Sequence, residues 1–157
     1  MFDSILVPTD GSGGMERVTE RAIALAECGD GSIHALYVVD EAAYGAVPED
    51  ARDRVRDTLR SDGEDATRTV AQRAIDAGLE AEREIRWGDP AVAIVAYAVE
   101  NDVDTIVMGT RGKSGFERYL LGSVAEKVVR VSPVPVLTVR IGDREELTEE
   151  VSELLGT

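Results

Sequence analysis

From position 109 the chain reads GTRGKSGFERYLLGSVAEKVVR, which sets glycines in the pattern Gly109-x2-Gly112-x9-Gly122 and follows the last with Ser123. Gly112 and Gly115 permit positive φ and turn successive N–H groups inward, while Gly109 lets a ligand approach the backbone closely. Gly122 and Ser123 stand where a helix opens, so unpaired N–H groups, the positive end of the helix dipole and a hydroxyl converge on one anion. The chemistry that suits this stretch is the cradling of a polyphosphate. Charge agrees: Arg111, Lys113, Arg118, Lys127 and Arg130 stand against Glu117 and Glu126, a local balance of +3 in a chain of formal net charge −14. The bland alternative is a surface loop whose glycines serve turns, and the charge reversal counts against it.

Two look-alikes fail on spacing. Gly112-Lys113-Ser114 resembles the end of a P-loop, but that motif needs a glycine five positions before Gly112, where Val107 stands. Gly11, Gly13 and Gly14 suggest a dinucleotide fingerprint, yet its third glycine would fall at Glu16.

These residues need a scaffold that brings them to one place. Residues 2–9 (FDSILVPT) predict a first strand that runs into the turn-forming series Asp10, Gly11, Ser12, Gly13, Gly14. Helical spacing follows from Met15 through Val18, Ala22, Leu25 and Ala26 to the glycines at 29 and 31. Residues 32–39 predict a second strand buried on both faces, ended by Asp40, and residues 41–48 a loop. Val55, Leu59, Ala66, Val70 and Ala74 outline a charged amphipathic helix interrupted near Gly63. Residues 79–87 give a third strand, Gly88 and Asp89 a turn, and Pro90 starts a helix through Glu100. Residues 104–108 give a fourth strand, residues 123–131 a helix, and residues 134–140 a fifth strand. Strict β/α alternation predicts one α/β domain: a doubly wound, five-stranded parallel sheet with helices on both faces. In such sheets a ligand sits beyond the strand C-termini where the strand order reverses, so the loops after strands one and four are the places to look.

Composition narrows the function classes. A length of 157 residues fits a single core. The net charge of −14 argues against nucleic acid and anionic membranes as partners. No leader sequence or membrane-spanning apolar run is found, so a cytoplasmic protein is expected. Lys113 and Lys127 are the only lysines, a balance of arginine and carboxylate that points to a salt-loving organism, because dense carboxylates keep a surface hydrated where salt screens their repulsion. Cys28, the single cysteine, is read as helix packing rather than as a nucleophile. His34 falls inside a strand and is read as a packed or edge residue, and Trp87 and Tyr119 as hydrophobic anchors rather than base-stacking rings.

Taken together, ILVPTDGS, LYVVDE, WGDP, IVMGTRG, the Gly-x2-Gly-x9-Gly-Ser loop and PVPVLTV resemble the universal stress protein family over residues 1 to about 140. The glycine loop is the most specific part, since the members that keep it form the ATP-binding branch. The resemblance implies strand order 3-2-1-4-5 in an adenine nucleotide alpha-hydrolase-like fold. It also implies that Pro8, Thr9 and Asp10 line adenine and ribose, that the Val38 backbone reads the adenine edge, and that Gly109 meets the ribose. Thr110, Arg111, Gly112, Lys113, Ser114 and Gly115 would then wrap the phosphates, with Gly122, Ser123 and the N–H groups of Val124 and Ala125 completing their shell. ATP, ADP or AMP would carry Mg²⁺ or Mn²⁺ on its phosphates. Asp10 also reads as a turn or cap residue. The family usually dimerises through its last strand, here between Pro135 and Val139.

The domain is accordingly taken as residues 1–141. Residues 142–157 form an acidic tail in which Leu147, Val151, Leu154 and Leu155 fall at helical spacing; the spacing predicts a short helix that packs on the domain or dimer, and the alternative is a frayed, disordered tail. Three functions follow: a nucleotide-binding stress-response switch or sensor, a slow Mg-dependent ATPase, or a dimerisation or adaptor module that needs no nucleotide. No general base or water-orienting Gln or His stands near the loop, so no catalytic residue is assigned and hydrolysis is at most weak.

Overall fold

The structure, a computed structural model, describes residues 2–110, 121–141 and 144–156. The elements run β1 (Ser4–Pro8), α1 (Met15–Glu27), β2 (Ser32–Asp40), α2 (Glu41–Gly45), a 3-10 turn (Glu49–Ala51), α3 (Arg52–Asp76), β3 (Glu80–Gly88), α4 (Pro90–Glu100), β4 (Thr105–Gly109), α5 (Ser123–Val131), β5 (Val136–Val139) and α6 (Arg144–Leu155). All five strands are parallel in the order β3-β2-β1-β4-β5, the order the resemblance implies. Because each crossover is right-handed, the two that move toward β3 place α1 and α3 on one face, and the two that move toward β5 place α4 and α5 on the other.

Strand alternation divides the core accordingly. Ile5, Val7, Ile33 and Ala35 pack against Val18, Ala22 and Val70 on the α1–α3 face. Leu6, Leu36 and Ile106 pack against Ile94, Tyr97 and Val128 on the α4–α5 face. Ile5, Leu6 and Val7 have no solvent exposure, each side chain contributing about 1.5–3 kcal/mol by burial. β1 is therefore the central strand, and whatever follows it is held on a rigid base.

Three expectations are corrected. The stretch expected as a loop after β2 holds α2, because the Asp40 side chain accepts the N–H groups of Ala42 (3.0 Å) and Ala43 (3.4 Å) and starts a helix. The third helix is unbroken at Gly63, where a Cβ would stand 2.8 Å from Tyr37 Cδ1 and 3.1 Å from Ile85 Cδ1. That glycine lets the helix lie close on the sheet rather than interrupting it. Cys28 is exposed at the end of α1, its thiol 3.5 Å from the Ala24 carbonyl oxygen, rather than packed.

His34 is packed, with 7% exposure, and Trp87 lies against the cluster of Tyr37, Val39 and Ala66. Tyr119 lies outside the described residues.

Candidate functional site

The order of strands reverses between β1 and β4, so the loops after these strands start side by side at one end of the sheet. Thr9 extends the β1–β2 ladder by donating its N–H to the Leu36 carbonyl (2.8 Å). Its Oγ1 then accepts the Gly11 N–H (3.2 Å), and Asp10 Oδ1 accepts the Ser12 N–H (2.9 Å). Two consecutive side chains thus fold the loop onto itself, and Gly11 completes the turn at φ +77°, a conformation that favours glycine. Pro8 and Asp10 are half-buried, and Thr9 is 7% exposed. The expected turn role of Asp10 is present, and Oδ1 is the atom that performs it. Val38 lies two residues beyond Leu36. By strand alternation its N–H and C=O face the same side as the Leu36 carbonyl, past the end of β1.

At the end of β4, Gly109 pairs with Val139, and Thr110 donates its N–H to the Val139 carbonyl (3.0 Å). The Gly122 N–H donates to the Thr110 carbonyl (2.5 Å), which ties the start of α5 to the end of β4. Gly122 is the N-cap of α5 and carries no side-chain cap, and the first helical bond is Glu126 N–H to the Gly122 carbonyl (2.9 Å). The N–H groups of Ser123, Val124 and Ala125 therefore form the positive end of α5, with Ser123 exposed, Val124 half-buried and Ala125 buried. Arg111, Gly112, Lys113, Ser114 and Gly115 lie outside the described residues.

The local charge is less free than the sequence implies. Lys127 Nζ lies 3.4 Å from Asp89 Oδ2, and Arg130 lies 3.8 Å from Glu126. Asp89 in turn caps α4 by accepting the Val92 N–H (3.1 Å). That backbone donor first, and the Lys127 ammonium after it, hold the Asp89 carboxyl below its ordinary range. Sequence reading took Asp89 as a turn residue and missed that it joins α4 to α5. Only the capping half of that role had a local signal, in Asp89-Pro90, an N-cap followed by a proline in the first helical turn.

A cleft of about 350 Å³ opens beside the β1 loop, but against α1 and α3. Thr9 and Asp10 line it together with Asp62 and Asp65, and Arg73 on its wall is bonded to Glu16 (2.5 Å). Val38, Gly109 and the start of α5 are not on its walls. Asp10 thus lines an acidic cleft on the α1–α3 face, whereas α5 packs on the opposite face of the sheet. Among the described residues no group of three or more His, Cys, Asp or Glu side chains is placed to hold a metal ion, and no helix is long and apolar enough to cross a membrane.

A universal stress protein of Methanocaldococcus jannaschii is 38% identical over 141 residues, which span 89% of this chain and 83% of that one. A solved structure from the same organism, of a hypothetical protein given a structure-based assignment of biochemical function, matches with TM-score 0.81 at 30% identity. It covers 91% of this chain and 99% of its own. A universal stress protein solved in complex with cAMP matches with TM-score 0.63 at 27% identity, covering 90% of this chain and 98% of its own. The profile of the universal stress protein family matches residues 1–140, and the chain belongs to that family.

Proposed function

We propose that this protein binds an adenine nucleotide, ATP foremost, between the loop after β1 and the loop joining β4 to α5, and that occupancy switches its contacts in a stress response. The bond from Gly122 N–H to the Thr110 carbonyl carries the reading, because it sets an uncapped helix N-terminus at the strand-order reversal. A relative's complex with cAMP supports an adenine nucleotide as the ligand class.

Pro8, Thr9, Asp10 and the Val38 backbone take the nucleoside, and Gly109 takes the ribose. Thr110, Ser123 and the N–H groups of Val124 and Ala125 take phosphate together with the residues from Arg111 to Gly115. Mg²⁺ or Mn²⁺ arrives on the phosphates, whose hard oxygens supply the ligands.

The domain spans residues 1–141, and residues 142–157 are an appended acidic tail. Copies pair through the outer edge of β5. The dense carboxylates suit the cytoplasm of a salt-loving archaeon.

The test begins with mass spectrometry of ligand released from purified protein, followed by calorimetric titration of ATP, ADP, AMP and cAMP with and without Mg²⁺. Gly122 sits at φ −59°, ψ 153°, which any residue adopts, so Gly122→Val fills the phosphate space without backbone strain. It should weaken ATP binding by about tenfold or more, while stability changes by no more than about 1 kcal/mol through the poorer cap. Unchanged affinity would remove the site assignment.

A further inference from the structure

A groove of about 340 Å³ runs between α6 and the α1–β5 surface. Arg17, Arg21 and Arg140 border it, and Leu137, Leu147 and Val151 form its apolar wall. Such a basic rim runs against a net charge of −14. Arg17 and Arg21 are exposed i,i+4 neighbours on α1, and neither forms an ion pair with a carboxylate among the described residues.

The complementary surface is on the same chain. α6 presents Leu147, Val151, Leu154 and Leu155 at helical spacing, yet Val151 is 48%, Leu154 66% and Leu155 72% exposed. Glu145 and Glu149, exposed and one turn apart, supply the opposite charge. β5, the outer strand, leaves Leu137 42% exposed beside the groove.

We propose that this surface docks a second copy of the chain, with the two α6 helices packed on each other and the tail glutamates of each copy paired with Arg17 and Arg21 of the other. The inference rests on the reading that β5 edges pair antiparallel. That pairing requires a twofold axis perpendicular to the sheet, so α1 and α6 of both copies lie on one face and the tails meet above the strand junction. A single chain that carries both a basic apolar groove and an acidic apolar helix is self-complementary, as an interface between identical copies requires. The tail then acts as a clamp across the junction and covers apolar surface that α6 cannot bury on its own domain.

Sedimentation equilibrium on the full chain tests this. Arg17→Glu with Arg21→Glu should weaken the dimer by about tenfold, and so should Glu145→Arg with Glu149→Arg. An equimolar mixture of the two variants should regain wild-type affinity, because each groove then meets a complementary tail across the interface. Leu155→Lys, at a position exposed in the single chain, should weaken the dimer without lowering the thermal stability of the monomer. A dimeric wild type with unchanged affinity in the variants overturns the tail inference and leaves the β5 reading standing. Loss without rescue on mixing assigns the charge pairs to one copy and overturns it as well. A wild type that stays monomeric removes both readings.

Discussion

At the N-terminal end of the sheet, His34 lies between Ser4 Oγ (2.9 Å from Nε2) and the Tyr97 hydroxyl (2.7 Å from Nδ1), with a Glu82 carboxylate oxygen 3.5 Å away. At the C-terminal end, the side-chain hydrogen bonds of Thr9 and Asp10 close turns on the next residues of their own loop, and the start of α5 carries no side-chain cap. The side chains of the first group join β1, β2, β3 and α4, whereas those of Thr9 and Asp10 bond, among the described residues, only within their own loop. Polar groups that satisfy one another across elements stabilise the fold. Those held in place by local turns leave donors and acceptors for a ligand. Both ends contain buried polar residues, so burial alone does not distinguish a site from a strut.

Breaking the strut gives the largest expected effect. Tyr97 is 3% exposed, its ring lies under the Arg86 guanidinium at 4.9 Å, and Arg86 pairs with Glu84 and Glu100. Burial, with the Glu82 and Glu84 charges, pushes its hydroxyl up to about 12, so it remains a neutral hydrogen-bonding group at working pH. Tyr97→Ala should cost about 3–5 kcal/mol in urea unfolding, because it opens a cavity and takes the hydroxyl away from His34 Nδ1. ATP affinity of the folded fraction should hold. If Tyr97→Phe lowers that affinity in step with stability, the two ends are coupled and the contrast fails.

Asp10→Ala probes the other end. The proposed nucleoside contact and the Ser12 turn are lost together, and ATP should bind about 10–100-fold more weakly, while unfolding changes by no more than about 1 kcal/mol. Asp10→Asn keeps an acceptor for the turn. Calorimetry on this pair separates the turn role from the ligand role.

The strut also has a pH signature. His34 is the chain's only histidine, and burial lowers its pKa more than the Glu82 charge raises it. Its neighbours are Ser4 from β1, Glu82 from β3 and the Tyr97 hydroxyl from α4. A folded pKa below the unfolded value of 6.5 means that the unfolded chain takes the proton first. The stabilisation is complete above about pH 6.5 and is lost as pH falls toward the folded pKa, with a slope of at most about 1.4 kcal/mol per unit. Urea titrations between pH 7.5 and 5 should show that slope in the wild type and not in His34→Gln.

Sequence patterning carried the fold further than it carried the site. The near-continuous apolar runs of β2 and β4 and the Pro90 start of α4 each forced one element type. Gly63 misled because a glycine that permits close packing and one that breaks a helix look alike until Tyr37 and Ile85 are in place. The start of α5 was legible because Gly122-Ser123 ahead of an amphipathic run is a local signal. The Lys127–Asp89 pair was not, because it spans 38 positions and depends on how α4 meets α5. The acidic cleft between α1 and α3 was equally hidden, since Asp62 and Asp65 read as part of a solvated helix face until the fold brought them opposite Asp10.

One residue at the well-satisfied end breaks its pattern and yields the smallest expected effect. Thr105 starts β4 opposite Ile5, next to Asp104, whose Oδ2 accepts the N–H groups of Asp3 and Ser4 at 3.0 Å each. The Thr105 hydroxyl is buried, with the residue 3% exposed, and its Oγ1 has no hydrogen-bond partner among the described residues. Such a group carries a desolvation cost on the order of 1–3 kcal/mol without a compensating bond. Thr105→Val replaces the hydroxyl with a methyl of similar size and keeps the β-branched shape that strands favour. It should raise stability by about 1 kcal/mol, roughly 2–4 °C in thermal midpoint at this chain length, with ATP affinity unchanged. A loss of stability would instead mean that a bound water satisfies Oγ1, which would extend the N-terminal polar network to β4 and sharpen the contrast between the two ends of the sheet.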